Sequence, residues 1–237
     1  NEDHEISDFV SKSFKSRGIK IHTNAKLKEV FDKKNIECKV EINGRYQFLN
    51  AEKLILAVGI EANVNQLGLE DFKIQITNGF IETDEWMETS ENGIFAIGDV
   101  TSGPWLAHKA SHEGVICIEK IKGINKHGIK KDEIPGCTYC RPQVASIGLT
   151  EKDVIEKGYD FKVGKFPFIG NGKALAIGDA EGLVKTIFDK KTGELLGAHM
   201  VGPEVTELIQ GFAIAKKLET TEEELMSTIF PHPTLSE

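Results

Sequence analysis

The segment FPHPTLSE, residues 230–237, places a histidine between two prolines and a glutamate five positions further on. His232 and Glu237 admit two readings. A stiff Pro-His-Pro backbone would fix an imidazole, and a carboxylate neighbour raises the basicity of such a ring. That combination suits a general acid–base working near neutral pH. Thr234-Leu-Ser-Glu237 equally fits a capping box, with Thr234 as N-cap and Glu237 reaching back to it. The two roles are compatible.

Two further stretches could carry chemistry. GIFAIGD, residues 93–99, reads as a buried strand that ends in Gly98 and Asp99. Ligands of open α/β sheets sit beyond the carboxyl ends of the strands, where Asp99 would accept ribityl or ribose hydroxyls. Its alternative role is to cap the next turn. Cys137-Thr-Tyr-Cys140 has the spacing of a dithiol loop, but Pro135, Gly136 and Pro142 surround it and a strand pattern follows. In an extended segment, residues three apart lie roughly 10 Å from each other, whereas a disulfide needs Cα atoms within about 7 Å. Cys38 and Cys117 stand apart in sequence, so no zinc site is expected. G-x-G-x-x-G is absent. GNGKAL, residues 170–175, lacks the last glycine and is not expected to open a helix. A phosphate-cradling loop would therefore lie in further sequence.

The elements that must position these residues change character along the chain. Ile6, Phe9, Val10 and Phe14 form a helical stripe, with Ser7 as N-cap and Gly18 as C-cap. IKIHT, IECKVEIN and GRYQFLNA read as strands, the last two joined by an Asn43-Gly44 turn. KLILAVG, ending at Gly59, reads as a buried parallel strand. Residues 65–93 are turn-rich. Residues 107–123 form a helix whose apolar side is expected to be Ala107, Ala110, Val115, Ile116 and Ile118. His108 and His112 on it take structural or solvent roles as far as spacing tells. Residues 124–133 read as a solvated connector. From 134 the pattern is α+β: a strand, a helix capped by Thr150 with Asp153, three strands with a DKKTG hairpin, and two helices with acidic first turns.

Composition bounds the function classes. The 237 residues carry a formal net charge of −8 and are 40% apolar, enough for a core. An acidic surface disfavours nucleic acid and anionic membrane as partners. No apolar run approaches the roughly 20 residues of a membrane span, and the N-terminus does not read as a signal peptide. Without Met at position 1, the chain reads as a piece of a longer polypeptide. Four cysteines are too few for a disulfide scaffold and favour a reducing compartment.

TSENGIFAIGDV, followed by LAHKASHEG, resembles the second flavin fingerprint of the pyridine nucleotide–disulfide oxidoreductases. LILAVGIEANV is similar to that family's NAD-contacting strand and turn. Ile60, Glu61, Ala62 and Asn63 follow Gly59 where Gly-Arg-x-Pro-Asn is usual, so contact through the Gly59 backbone is retained and an arginine contact is lost. YCRPQVASIGLTE resembles the start of the family's dimerisation domain, with Cys140 and Gln143 replacing threonine and glutamate. HPTLSE resembles its catalytic tail. The resemblance covers essentially the whole chain and the C-terminal half or so of a family member.

The implied fold is α/β plus α+β: the C-terminal part of an FAD/NAD-linked reductase with two dinucleotide-binding domains and an α+β dimerisation domain. Residues 1–80 would end the NAD domain, 81–132 return to the FAD domain, and 133–237 form the interface of a homodimer. LAHKASHEG points to the branch that oxidises dihydrolipoyl groups of 2-oxo acid dehydrogenase complexes with FAD and NAD, taking their lipoyl domains as partners. By the same resemblance, His232 is the general acid–base of dithiol–disulfide exchange and Glu237 orients it. Asp99 accepts from the flavin ribityl chain. Leu106, Ala107 and His108 open a helix whose N-terminus faces the flavin ring, where free N–H groups and the macrodipole stabilise negative charge. Gly59 contacts NAD. His232 would serve the partner subunit's disulfide, so this chain alone is expected to be inactive. The implied location is the bacterial cytoplasm or the mitochondrial matrix. Alternatives are a glutathione- or mercuric-reductase-like enzyme on the same fold, or a non-enzymatic dimerisation module.

Overall fold

A computed structural model describes residues 2–32, 35–124 and 127–237. Two compact units appear, residues 11–60 and residues 1–10 with 61–237. Helix α1, His4–Ser16, starts four residues earlier than a Ser7 cap would place it. Asp3 begins it instead: its carbonyl accepts the Ser7 N–H at 3.0 Å and its carboxylate the Glu5 N–H at 3.1 Å. Gly18 closes it at φ +88°, with the paired Gly18→Lys15 and Ile19→Phe14 bonds of a Schellman motif.

Residues 11–60 contain an antiparallel sheet of β1 (Ala25–Asp32), β2 (Ile36–Ile42) and β3 (Arg45–Ala51) in that order. Asn43 and Gly44, at φ +49° and +78°, make the expected tight turn. Cys38, Val40 and Ile42 form its buried face. Two expected strands are absent. IKIHT stays irregular, and β1 forms after it. KLILAVG also forms no strand, and Ile55 and Val58 are 86% and 92% exposed. A strand of apolar residues on both faces needs a neighbour on each side and a layer above and below, and the described residues of this unit supply none.

The other unit opens with the short pair β4 (Ile76–Thr77) and β5 (Phe80–Ile81). Residues 93–99 are a third expected strand that does not form. They form no strand, only a bridge from Phe95 to Glu88 and a 3-10 turn over Gly98–Val100. Helix α2, Ala107–Ile121, follows, with a buried face unlike the expected one. Lys109, Glu113 and Cys117 are inside, whereas Val115 and Ile118 are more than half exposed.

From residue 134 the expected α+β pattern is realised. A 3-10 turn at Lys131–Glu133 is tied to the next-to-last helix through Lys216–Asp132 and Lys217–Glu133 pairs, so this part of the connector is not merely solvated. Residues 125 and 126 of the connector lie outside the described residues. Five antiparallel strands follow: β6 (Gly136–Thr138), β7 (Gln143–Gly148), β8 (Phe161–Pro167), β9 (Leu183–Asp189) and β10 (Leu195–Gly202), in the order β6-β7-β10-β9-β8. The helices are α3 (Glu151–Glu156), α4 (Gly172–Ala176), α5 (Val205–Lys217) and α6 (Glu222–Ser227). GNGKAL thus does open a helix, the single turn α4, because Asn171 caps it by accepting the Ala174 N–H at 2.9 Å.

Every residue of β10 is buried. Ala198 and Met200 pack with Val205 and Ile209 of α5, Ala174 of α4 and Phe168. Val201 packs with Ile6, Phe9 and Val10 of α1, while Leu196 meets Val154 of α3. At Gly197 a side chain is excluded, because a Cβ there would lie 2.1 Å from the Leu149 carbonyl oxygen.

Candidate active site

The C-terminal tail is anchored before it presents its histidine. Leu235 packs against the core under α5. Asn171, 4% exposed, donates its amide to the Thr234 carbonyl at 3.1 Å while capping α4 with its oxygen. The Glu237 carboxylate takes the Thr234 N–H at 3.0 Å and His232 Nδ1 at 2.8 Å. The same carboxylate thus makes the reach-back bond of the expected capping box and the imidazole pair, but the box is not completed: no helix follows Thr234, and its Oγ1 is buried without a hydrogen-bond partner. Thr234 N–H and His232 hold the Glu237 carboxyl below its ordinary range, the backbone donor contributing most. An ionised carboxylate only accepts, so Nδ1 carries the hydrogen. In the neutral ring Nε2 is then the basic nitrogen, on a side chain 75% exposed.

A second grouping gathers Asp99 and the start of α2. Gly98 turns at φ +76° and leaves Asp99 exposed next to it. Leu106 stands at the N-cap position of α2 with extended backbone and no side-chain cap. The first N–H groups of a fifteen-residue helix are thus open to an anionic or electron-rich group. An exposed carboxylate beside an uncapped helix N-terminus fits the hydroxyl chain and the ring of a flavin. His108 donates Nε2–H to the Pro135 carbonyl at 2.8 Å, so its side chain is committed and only its backbone is offered. Gly59, in the other unit, is exposed at φ +128° with open space where a Cβ would stand, as close approach to a dinucleotide backbone requires.

Cys137 and Cys140 are free. The Cys140 thiol donates to the Pro142 carbonyl at 3.1 Å, and burial raises both thiols above their ordinary pKa. Both stay protonated at neutral pH and are poor nucleophiles.

Two family models match in succession: "Pyridine nucleotide-disulphide oxidoreductase" over residues 1–114, and the dimerisation domain of the same family over residues 134–237. The chain belongs to the pyridine nucleotide–disulphide oxidoreductases. Within the family, the dihydrolipoyl dehydrogenase of Rhizobium etli is 55% identical over the whole chain, and that of Zymomonas mobilis 50%. The chain spans about half the length of these curated relatives, 50% and 51%. Crystalline LpdA of Mycobacterium tuberculosis superposes on all of the chain and on 51% of its own, with a TM-score of 0.92 at 25% identity.

Asp99 and the first turns of α2 fall at the end of the first matched segment, and the histidine tail at the end of the second. Sequence reasoning missed two residues that organise them. Asn171 was legible as an N-cap, since Asn before Gly-Lys-Ala-Leu favours a helix start. Glu113 was legible only as the i+4 partner of Lys109, a spacing equally common on solvated faces.

Proposed function

We propose that this chain is the C-terminal half of a dihydrolipoyl dehydrogenase, which oxidises dihydrolipoyl groups of 2-oxo acid dehydrogenase complexes with FAD and NAD. The observation that carries the reading is the Glu237-bound His232 ring on an anchored tail. Its support is the identity of 55% to a named dihydrolipoyl dehydrogenase.

On this reading His232 Nε2 takes the proton of a substrate thiol, which leaves a thiolate. The imidazolium so formed is stabilised by Glu237, whose bond to Nδ1 persists in both protonation states. The thiolate attacks a protein disulfide, which belongs to the half of the relatives' length that this chain does not span. Asp99 and the N–H groups at Leu106, Ala107 and His108 hold FAD, and the Gly59 backbone holds NAD. The two cofactors, when bound, supply the electron sink and the final hydride acceptor. Residues 1–80, 81–132 and 133–237 serve as NAD-domain, FAD-domain and dimerisation segments, and the last forms a homodimer. A reducing location, bacterial cytoplasm or mitochondrial matrix, suits the four free cysteines.

Assaying the full-length protein with dihydrolipoamide plus NAD, and separately with glutathione disulfide plus a reduced nicotinamide, tests the substrate. Turnover of the first is expected. Turnover of glutathione disulfide alone would replace this substrate with the sister reaction, and purification without flavin would favour a binding module.

A further inference from the structure

Beneath Asp99 lies a closed ring of buried polar groups. Glu113, 3% exposed, accepts the Gly98 N–H at 2.7 Å on one oxygen and meets Lys109 Nζ at 2.7 Å with the other. Lys109, 5% exposed, also donates to Thr101 Oγ1 at 3.1 Å. Thr101, 2% exposed, donates its hydroxyl to the Gly98 carbonyl at 2.8 Å, and that carbonyl also takes the Thr101 N–H at 3.0 Å. Lys109 and Glu113 belong to α2, and Gly98 and Thr101 to the turn that carries Asp99.

Stability alone is a weak reason for such a pair. Two charges removed from water recover little more than their desolvation, and apolar residues of similar volume often do better. What the ring does specifically is satisfy a backbone N–H that the left-handed turn at Gly98 takes out of any strand ladder. The bond is charge-assisted and directional, so it fixes where the following residue points. It also ties that residue to the first turns of α2, because Lys109 lies two positions after the start of that helix.

We propose that the Lys109–Glu113 pair, completed by Thr101, is a positioning device that holds the Asp99 carboxylate in register with the N-terminus of α2, so that one flavin can engage both. The inference rests on the flavin reading of Asp99 and α2 and adds residues that act through them.

The test is FAD titration of the full-length apoprotein, followed by flavin fluorescence, with Glu113→Gln, Thr101→Val, Asp99→Asn and the Glu113→Gln/Asp99→Asn double variant. Glu113→Gln is expected to raise the FAD Kd about tenfold or more, as loss of a charged hydrogen bond does, and Thr101→Val to raise it less. In the Asp99→Asn background the Glu113 change should add less than about twofold, since it acts through a carboxylate already gone. An unchanged Kd in folded Glu113→Gln, or full additivity, overturns the inference. If Glu113→Gln does not fold, Thr101→Val carries the test, and an unchanged Kd there overturns it equally. An unchanged Kd in Asp99→Asn alone overturns the flavin reading itself and the ring's role with it.

Discussion

At the scale of single residues, the imidazole at His232 is defined by what Glu237 does to it. One carboxylate oxygen fixes the ring's hydrogen on Nδ1 and the other is spent on the Thr234 N–H. Replacing Glu237 with alanine removes both constraints while leaving the base in place. Turnover of dihydrolipoamide in the full-length enzyme should fall, by less than the ~10²–10⁴ expected for losing a general acid–base, and bound flavin should be unaffected. Steady-state kinetics with the flavin absorbance as control measures this. Unchanged turnover would reduce Glu237 to an acceptor of the Thr234 N–H. The pair was legible in the sequence as two candidates of which only one needed to be right. Asn171 was less legible, because GNGKAL resembled an incomplete phosphate loop, and its anchoring of the tail depends on a contact 63 positions away.

At the scale of elements, the N-terminal residues are clamped to the five-stranded sheet by a buried cation. Lys185, 1% exposed on β9, bonds Asp3 at 2.9 Å and Glu151 at 2.6 Å and lies 3.5 Å from Glu5. Burial alone would raise the Asp3 carboxyl, but Lys185 and the N–H groups of Glu151 and Glu5 outweigh it and hold the group below its ordinary value. A depressed carboxyl contributes its full stabilisation above the unfolded pKa, near pH ~4, and loses it as pH falls further. Lys185→Met should destabilise the unit by about 3–5 kcal/mol at neutral pH, since it strands a buried carboxylate. The deficit should narrow in acid. Denaturant titrations at pH 7 and pH 3 check both, and a loss independent of pH would assign the effect to packing. The elements around this clamp were legible because their partners are local: hairpin turns, the Thr150 cap and alternating strands all satisfy themselves within residues 134–237. The runs at 54–59 and 93–99 were misread for the opposite reason. Their composition anticipates strands covered on both faces, and the described residues do not supply that cover. The inner face of α2 was misread because a buried ion pair looks, in sequence, like a solvated one.

At the scale of the whole molecule, the proposed function makes this chain one contributor to a composite centre. If the histidine of one subunit serves the disulfide of the other, two inactive variants of the full-length protein should complement. A His232→Gln subunit paired with a subunit lacking the redox thiols forms one intact centre per mixed dimer, so activity should return on co-expression. No recovery in isolated mixed dimers would place the centre within one chain. On the proposed function, everything turns on His232 moving the substrate's proton. Its most direct test is dihydrolipoamide turnover by the full-length His232→Gln variant. A fall of ~10²–10⁴ with flavin still bound is expected. Near-normal turnover by a folded, flavin-loaded variant would contradict it.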